Sequence, residues 1–481
     1  MMKQLWATKS VQDLSDELAD SGHGLKRSLS LTALVSLGIG AVIGAGIFVI
    51  TGTAAAHYAG PAIVLSFILA AFACALAGLC YAEFAAMIPA AGSSYTYAYL
   101  TVGELVAWMM GWTMVLEYMI STSTVAVSWS GYLSSMLGEI GIHLPAALSS
   151  APLDWKNGEL FATGAILNLP AVIITLICAG IAYIGMRESA GVNNFFVVLK
   201  VAVIVLFIVF GIAYINADNW APFIPEPIAD TGQFGFHGIV VGAGVIFFSY
   251  IGFEAVSTAA QEAKNPQRDM PRGIMISLAI CTTLYIGMAL VMTGIVPYKE
   301  LGVDAPIALA IDRTGAELDW LKPLIKIGAL AGLTSVILVM SIAQPRIFYS
   351  MARDGLLPQS FAKIHPRYRT PHLNTLITGV VTAAIAGVFP LNILGDLVSG
   401  GTLLAFAMVC IGIIWLRQTR PDLPRPFRTP WVPVLPAVGA LVCLYLLINL
   451  PTGTLKNLFY WMLLGLCIYF GYGIRHSKLR K

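Results

Sequence analysis

The chain has 481 residues, 58% of them hydrophobic and 11% charged, and a net charge of +3. That apolar share exceeds what a soluble fold of this size can cover with polar surface, which places the chain in a bilayer. The slight positive balance, with no Lys/Arg-rich block, leaves no footprint for a nucleic acid.

A spanning helix needs about 20 mostly apolar residues to cross a hydrocarbon core ~30 Å thick. The first thirty residues hold VQDLSDELAD, Lys26 and Arg27 without a cleavable apolar region, so 1–29 is expected to be a short cytoplasmic arm and the first span the insertion signal. Apolar runs closed by Pro, Gly and charge then predict twelve spans: 31–57, 61–87, 102–137, 163–186, 192–215, 235–259, 273–296, 321–350, 374–389, 391–416, 432–450 and 455–474. The longest loops, 137–163 and 298–320, are expected outside with short helices of their own. Of the 28 Lys and Arg residues, 21 fall on the side of the N-terminus, six on the other, and Lys200 on neither. This bias predicts cytoplasmic termini at an inner cell membrane.

In the first span, Gly38, Gly40, Gly44 and Gly46 lie within nine residues, and the sixth repeats the device with Gly242, Gly244 and Gly252 around FFSY. Each glycine costs a helix about 1 kcal/mol against alanine, so an unwound stretch is cheap at both places. The two lie one five-span unit apart, and an odd unit enters from the opposite side. Glycine-interrupted spans at matching places in inverted halves point to the binding site of a secondary transporter. The competing reading is that these glycines only let helices pack closely. The expected fold is therefore all-α and membrane-integral: a 5+5 inverted repeat (30–216 and 217–418), helices 1 and 6 unwound at mid-membrane, and two further helices in 419–481.

Half-helix ends carry specific chemistry. After the first break, the free N–H groups of Ile43, Gly44, Ala45 and Gly46 suit a carboxylate. Carbonyls at Val42, Phe248, Ser249 and Ile251 suit an ammonium group. Together they describe an α-amino acid. Phe247, Phe248, Tyr250 and Phe253 crowd the sixth break, where aromatics serve packing at least as readily as function. Three ionisable residues lie at bilayer depth, where a charge costs about 2.5–3.5 kcal/mol. Lys200 either snorkels to the inner face or exchanges a proton. Glu117 is either satisfied by a neighbouring helix or lines the pocket. Glu254 either caps the inner half-helix or meets a cationic side chain.

The strings GIGAVIGAGIFVITG, YAEFAAMIPAAGSSYTYAY, GELVAWMMGWTMVLEY, the Asn193–Asn194 pair ahead of Lys200, SYIGFEAVSTAAQEAKNPQRDMPRGI and YSMARDGLLP resemble the cationic amino acid transporter branch of the amino acid–polyamine–organocation superfamily. The resemblance runs from the first span to the last. It implies the LeuT-like fold, amino acid transport by alternating access, Phe248 as the lid or gate over the substrate, and the Lys200 ammonium where sodium sits in sodium-coupled relatives. Proton-coupled, sodium-independent uptake of neutral or cationic L-amino acids follows from it, with an exchanger or a polyamine carrier as the alternative. The family more often carries Asp at the position of Glu254.

Other features read as structural. Glu83, Arg346, Arg353 and Asp354 fall at inner helix ends, as gate salt bridges or as interfacial anchors. Trp108, Trp112, Trp129 and Trp431 fit interfacial belts. The seven cysteines read as small buried hydrophobes. Neither they nor the seven histidines have metal-ligand spacing, so no metal and no cofactor beyond the coupling proton is expected. No GxSxG elbow and no GxxxxGK[ST] loop marks an enzyme or a primary pump, whereas a gated pore stays compatible with the sequence. The bilayer and an L-amino acid are the expected partners, and a monomer the expected state.

Overall fold

In the computed structural model, which describes residues 5–9, 29–88, 93–156, 159–228, 233–303, 305–450 and 452–480, long helices dominate. Most of the expected N-terminal arm, with Lys3, Lys26 and Arg27, lies outside the described residues, as does Lys481. Among the described residues, six helices are long and apolar enough to cross a membrane and five more apolar helices have 10–17 residues. The chain is thus a multi-pass membrane protein.

In chain order, α1 is Leu31–Val42, and α2 runs over 46–59 as a π turn, an α turn and a second π turn. Ile63–Met87 (α3), Ser93–Thr101 (α4) and Glu104–Glu139 (α5) follow. After a hairpin of β1 (Leu153–Lys156) and β2 (Glu159–Ala162) come α6 (Leu169–Ile184) and α7 (Met186–Gly211). The second half holds α8 (Gly235–Ile246), α9 (Ala255–Thr258), α10 (Pro266–Ile295), α11 (Pro306–Asp312) and α12 (Leu321–Arg353). It continues with α13 (His372–Val388), α14 (Leu391–Thr419), α15 (Val434–Ile448) and α16 (Thr452–Ile468).

Several expectations are corrected. The fourth helix starts at Leu169 rather than 163, because Asn168 caps it, its Oδ1 accepting from the Ala171 N–H at 3.3 Å, and a proline follows in its first turn. The loop at 137–163 carries the expected short helix, Ala146–Ser149, as the loop at 298–320 carries Pro306–Asp312, and it adds the antiparallel hairpin, with Leu153 opposite Ala162. Helix α4, whose Tyr95, Tyr97 and Tyr99 are all buried, was not expected as an element. Trp108 and Trp112 do not face the interface. They are buried, the Trp112 ring stacks on Trp461 at 4.6 Å, and the two indoles each donate to the other's backbone carbonyl at 2.9 and 3.0 Å. Cys467 is exposed on α16, unlike the six buried cysteines.

Packing follows a rule. α3 lies on α10, α5 on α12, and α6 on α13, so helices five predicted spans apart are partners. The pair α1 with α10 is mirrored by α8 with α3, and the pair α7 with α12 by α14 with α5. Exchanging the two halves maps these contacts onto one another or onto themselves.

Candidate functional site

The site lies where two chain interruptions meet. Helix α1 stops at Val42, and Ile43 takes an extended conformation (φ −76°, ψ 101°) before the chain turns helical again at Ala45. Past the Phe247–Tyr250 turn, Ile251 is extended (ψ 136°) and Gly252 has φ +115°, a conformation that only glycine adopts without strain. A Cβ on Gly252 would sit 2.7 Å from that of Ala41, and one on Gly46 would collide with the backbone and hydroxyl of Ser249. The two readings of the glycines therefore coincide. Absent side chains let the interruptions touch.

The carbonyls at this junction are already engaged. The Tyr285 hydroxyl of α10 lies 2.8 Å from the Val42 carbonyl and 2.7 Å from that of Ser249, tying one interruption to the other. A phenol has one proton to donate, so one of these two carbonyls faces a bare oxygen lone pair and retains full accepting power. Sequence reasoning missed Tyr285. Its signal was a tyrosine alone in apolar CTTLYIGMAL, since a buried phenol needs a partner.

Lys200 does not snorkel. It is fully buried, and its Nζ donates to the carbonyls of Gly40 (2.9 Å) and Ile43 (2.8 Å) and to Ser335 Oγ (2.8 Å). All three ammonium donors are used, two of them on backbone that the first interruption frees. Ser335 on α12 also lies 3.1 Å from the Gly40 carbonyl. Among the expected carboxylate donors, Ile43 is corrected: its N–H closes the last turn of α1 on Ile39 O at 3.1 Å. The N–H groups of Gly44, Ala45 and Gly46 open the following helix, whose first-turn donors have no intrahelical acceptor.

Of the aromatics, Phe247 and Phe253 pack on Phe406 at 5.5 and 5.0 Å, and Tyr250 packs on Phe67 and Tyr285 while donating to Phe67 O. They hold the sixth segment in place. Phe248 is buried with none of these ring pairings, and its carbonyl accepts from the Ile251 N–H at 3.2 Å. Glu254 is corrected as a side-chain cap: Oε2 accepts from the Gly252 N–H at 2.9 Å, holding the turn rather than the helix that follows. Its Oε1 has no hydrogen-bond partner, nor has Glu117 Oε1, and both residues are buried. The Tyr97 and Tyr118 hydroxyls and Ser249 Oγ are likewise buried and without a hydrogen-bond partner. Buried polar atoms are nearly always satisfied, so this group is shaped for a ligand or for water.

At the end carrying the chain termini, the charged residues read as gate salt bridges or interfacial anchors are engaged in the following contacts. Glu83 holds Arg417 at 2.7 Å and Arg425 at 3.4 Å, Arg346 holds Glu262 at 2.6 Å, and Asp354 holds Lys9 at 2.7 Å and the Tyr95 hydroxyl at 2.6 Å. Arg353 lies over the Tyr349 ring. Among the described residues, no three His, Cys, Asp or Glu converge as metal ligands.

Residues 29–471 match the family model described as amino acid permease. Over the full length of both chains, the protein is 46% identical to the methylthioribose transporter of Bacillus subtilis and 45% identical to the branched-chain amino acid permease BcaP of the same organism. It is 37% identical to cationic amino acid transporter 4 of Homo sapiens over 84% of this chain and 62% of that one.

Proposed function

The chain belongs to the amino acid permease family, and from that premise we propose that it is a proton-coupled, sodium-independent secondary transporter of neutral L-amino acids, the branched-chain ones first. Twelve spans in two inverted five-helix repeats, with both termini cytoplasmic at the cell membrane, form its frame; the exchange of contacts between the halves supports the repeat. The observation that carries the coupling is Lys200, whose ammonium group bridges Gly40, Ile43 and Ser335 across α1, α7 and α12. A fixed positive charge there leaves no room for a sodium ion among the same oxygens.

The substrate carboxylate takes the N–H groups of Gly44, Ala45 and Gly46, and its ammonium takes the carbonyls of Val42, Ser249 and Ile251 beside Tyr285. Phe248 closes the site from outside. Loss of the Lys200 proton removes the charge and one of its three N–H donors, which weakens its hold on the α1 carbonyls and lets the first segment move against α12, giving alternating access a mechanical cause. The branched-chain preference rests on the full-length similarity to BcaP. Carriage of a hydroxylated thioether is the second reading, supported by the methylthioribose relative and by the unpartnered Glu117, Glu254 and Tyr118 oxygens.

The test is uptake into proteoliposomes. An inward proton gradient should drive accumulation of L-leucine, and exchanging sodium for potassium should change nothing. Uptake that needs sodium, or equal rates with and without the proton gradient, removes the coupling reading. A thermal-shift screen of the twenty amino acids and methylthioribose ranks the substrates.

A further inference from the structure

A cavity of about 330 Å³ opens between α1, α7 and α12 at the end that bears the termini. Apolar Leu338 and Ile342 line one side, and Thr32, Ser36, Asn193 and Asn194 the other. Thr32, Ser36 and Gly40 recur every four residues on one face of α1, which carries that face about 12 Å from the mouth of the cavity to the carbonyl that Lys200 holds, and Asn193 on α7 lies seven residues, about 10 Å, before Lys200, with Phe196 and Val197 between them. Thr32 is exposed at the mouth. Deeper in, Ser36 Oγ donates to Asn194 Oδ1 at 2.8 Å, and Asn193 Nδ2 reaches toward the Ser36 carbonyl at 3.4 Å. Asn193 is 4% exposed and its Oδ1 has no partner. Its amide presses on Gly40, where a Cβ would come within 2.5 Å of Oδ1, and Gly40 O accepts from the Lys200 ammonium.

We infer that this cavity is an aqueous inlet that exchanges the Lys200 proton with the compartment holding the termini, with Asn193 as the residue that relays water to it. The inference rests on the coupling role proposed for Lys200. Space of this size with several polar groups holds more than one water, and the orphan Asn193 oxygen is the acceptor that the innermost water needs. The groups facing Lys200 leave few other routes: α1 offers the Gly40 and Ile43 carbonyls, α12 the Ser335 hydroxyl, and α10 the thiol of Cys281. In the transfer, one Nζ–H bond breaks, the nitrogen keeps the electron pair, and the proton joins a water oxygen and leaves through the inlet. Nothing is oxidised or reduced.

The experiment uses the full chain in proteoliposomes with a trapped pH dye and radiolabelled L-leucine. Asn193→Leu keeps the volume but removes both polar atoms. It should cut proton-driven uptake and the accompanying acidification at least tenfold while leucine–leucine exchange, which needs no net proton movement, stays within about twofold. Wild-type driven uptake in Asn193→Leu overturns the inlet. If exchange is lost as well, Asn193→Ser decides: it must restore driven uptake to within about threefold, or the inlet is overturned. An arm independent of substrate places Ser36→Cys in a cysteine-free background, where a membrane-impermeant thiosulfonate must label it from the terminus-bearing side and no labelling overturns the inlet. Lys200→Ala runs in parallel: retained pH dependence there sinks the coupling role itself, whatever Asn193 does.

Discussion

In the proposed substrate site, Gly46 has no room for a side chain, because the Ser249 backbone and hydroxyl occupy that space. Any larger residue must push the two interruptions apart, and overpacking of this kind costs roughly 1–3 kcal/mol. Gly46→Ala should therefore weaken amino acid binding about 10- to 100-fold, read as a loss of the thermal shift that substrate produces. An unchanged shift would detach the first interruption from carboxylate binding. Around it, legibility was uneven. Lys200 and the glycines could be singled out in the sequence because a charge or a cluster of helix breakers is costly in an apolar run. Tyr285 left only the weak signal of a lone tyrosine in an apolar run and Ser335 none, since serine is tolerated in any span, and only tertiary contact places them on the Val42 and Gly40 carbonyls beside the first break.

At the scale of elements, α16 is stitched to α5 by the reciprocal Trp112–Trp461 bonds and by Trp108 Nε1 donating to Gly465 O at 2.8 Å. Gly465 is where the Trp112 ring seats, so α16 carries a notch that fits α5. Lipid is as apolar as these helices, which leaves packing and interhelical hydrogen bonds, each worth about 1–2 kcal/mol at most, to hold them together. Trp112→Ala should lower the melting temperature in detergent, with Trp112→Phe intermediate because it keeps a ring but loses the N–H. Initial uptake rates should stay near wild type, since none of these atoms approaches the Lys200 or Tyr285 contacts. A variant that melts like wild type would reduce the tryptophan stack to surface decoration. The sequence reading placed Trp108 and Trp112 in an interfacial belt. It registers how apolar a stretch is but not which neighbour a ring meets.

For the whole molecule, the Lys/Arg asymmetry and the mirrored helix contacts predict an orientation with both termini on one side. Cysteines introduced at Lys478 and at Asp154 of the β1–β2 hairpin should react with an impermeant thiol reagent from opposite faces of the membrane, and labelling of both from the same face would overturn the inverted repeat. The sequence by itself determined the membrane class, most helix positions, the two interrupted segments and the buried lysine, because each is a local excess of apolar, glycine or charged residues that the bilayer penalises or rewards directly. Only the tertiary structure decided which atoms meet at the site. It gave the Val42 and Ser249 carbonyls to Tyr285, turned Glu254 onto Gly252, withdrew the Ile43 N–H, and set Asn193 between the cavity and Lys200. Those choices depend on hydrogen-bond geometry between segments far apart in the chain, and no local pattern encodes that.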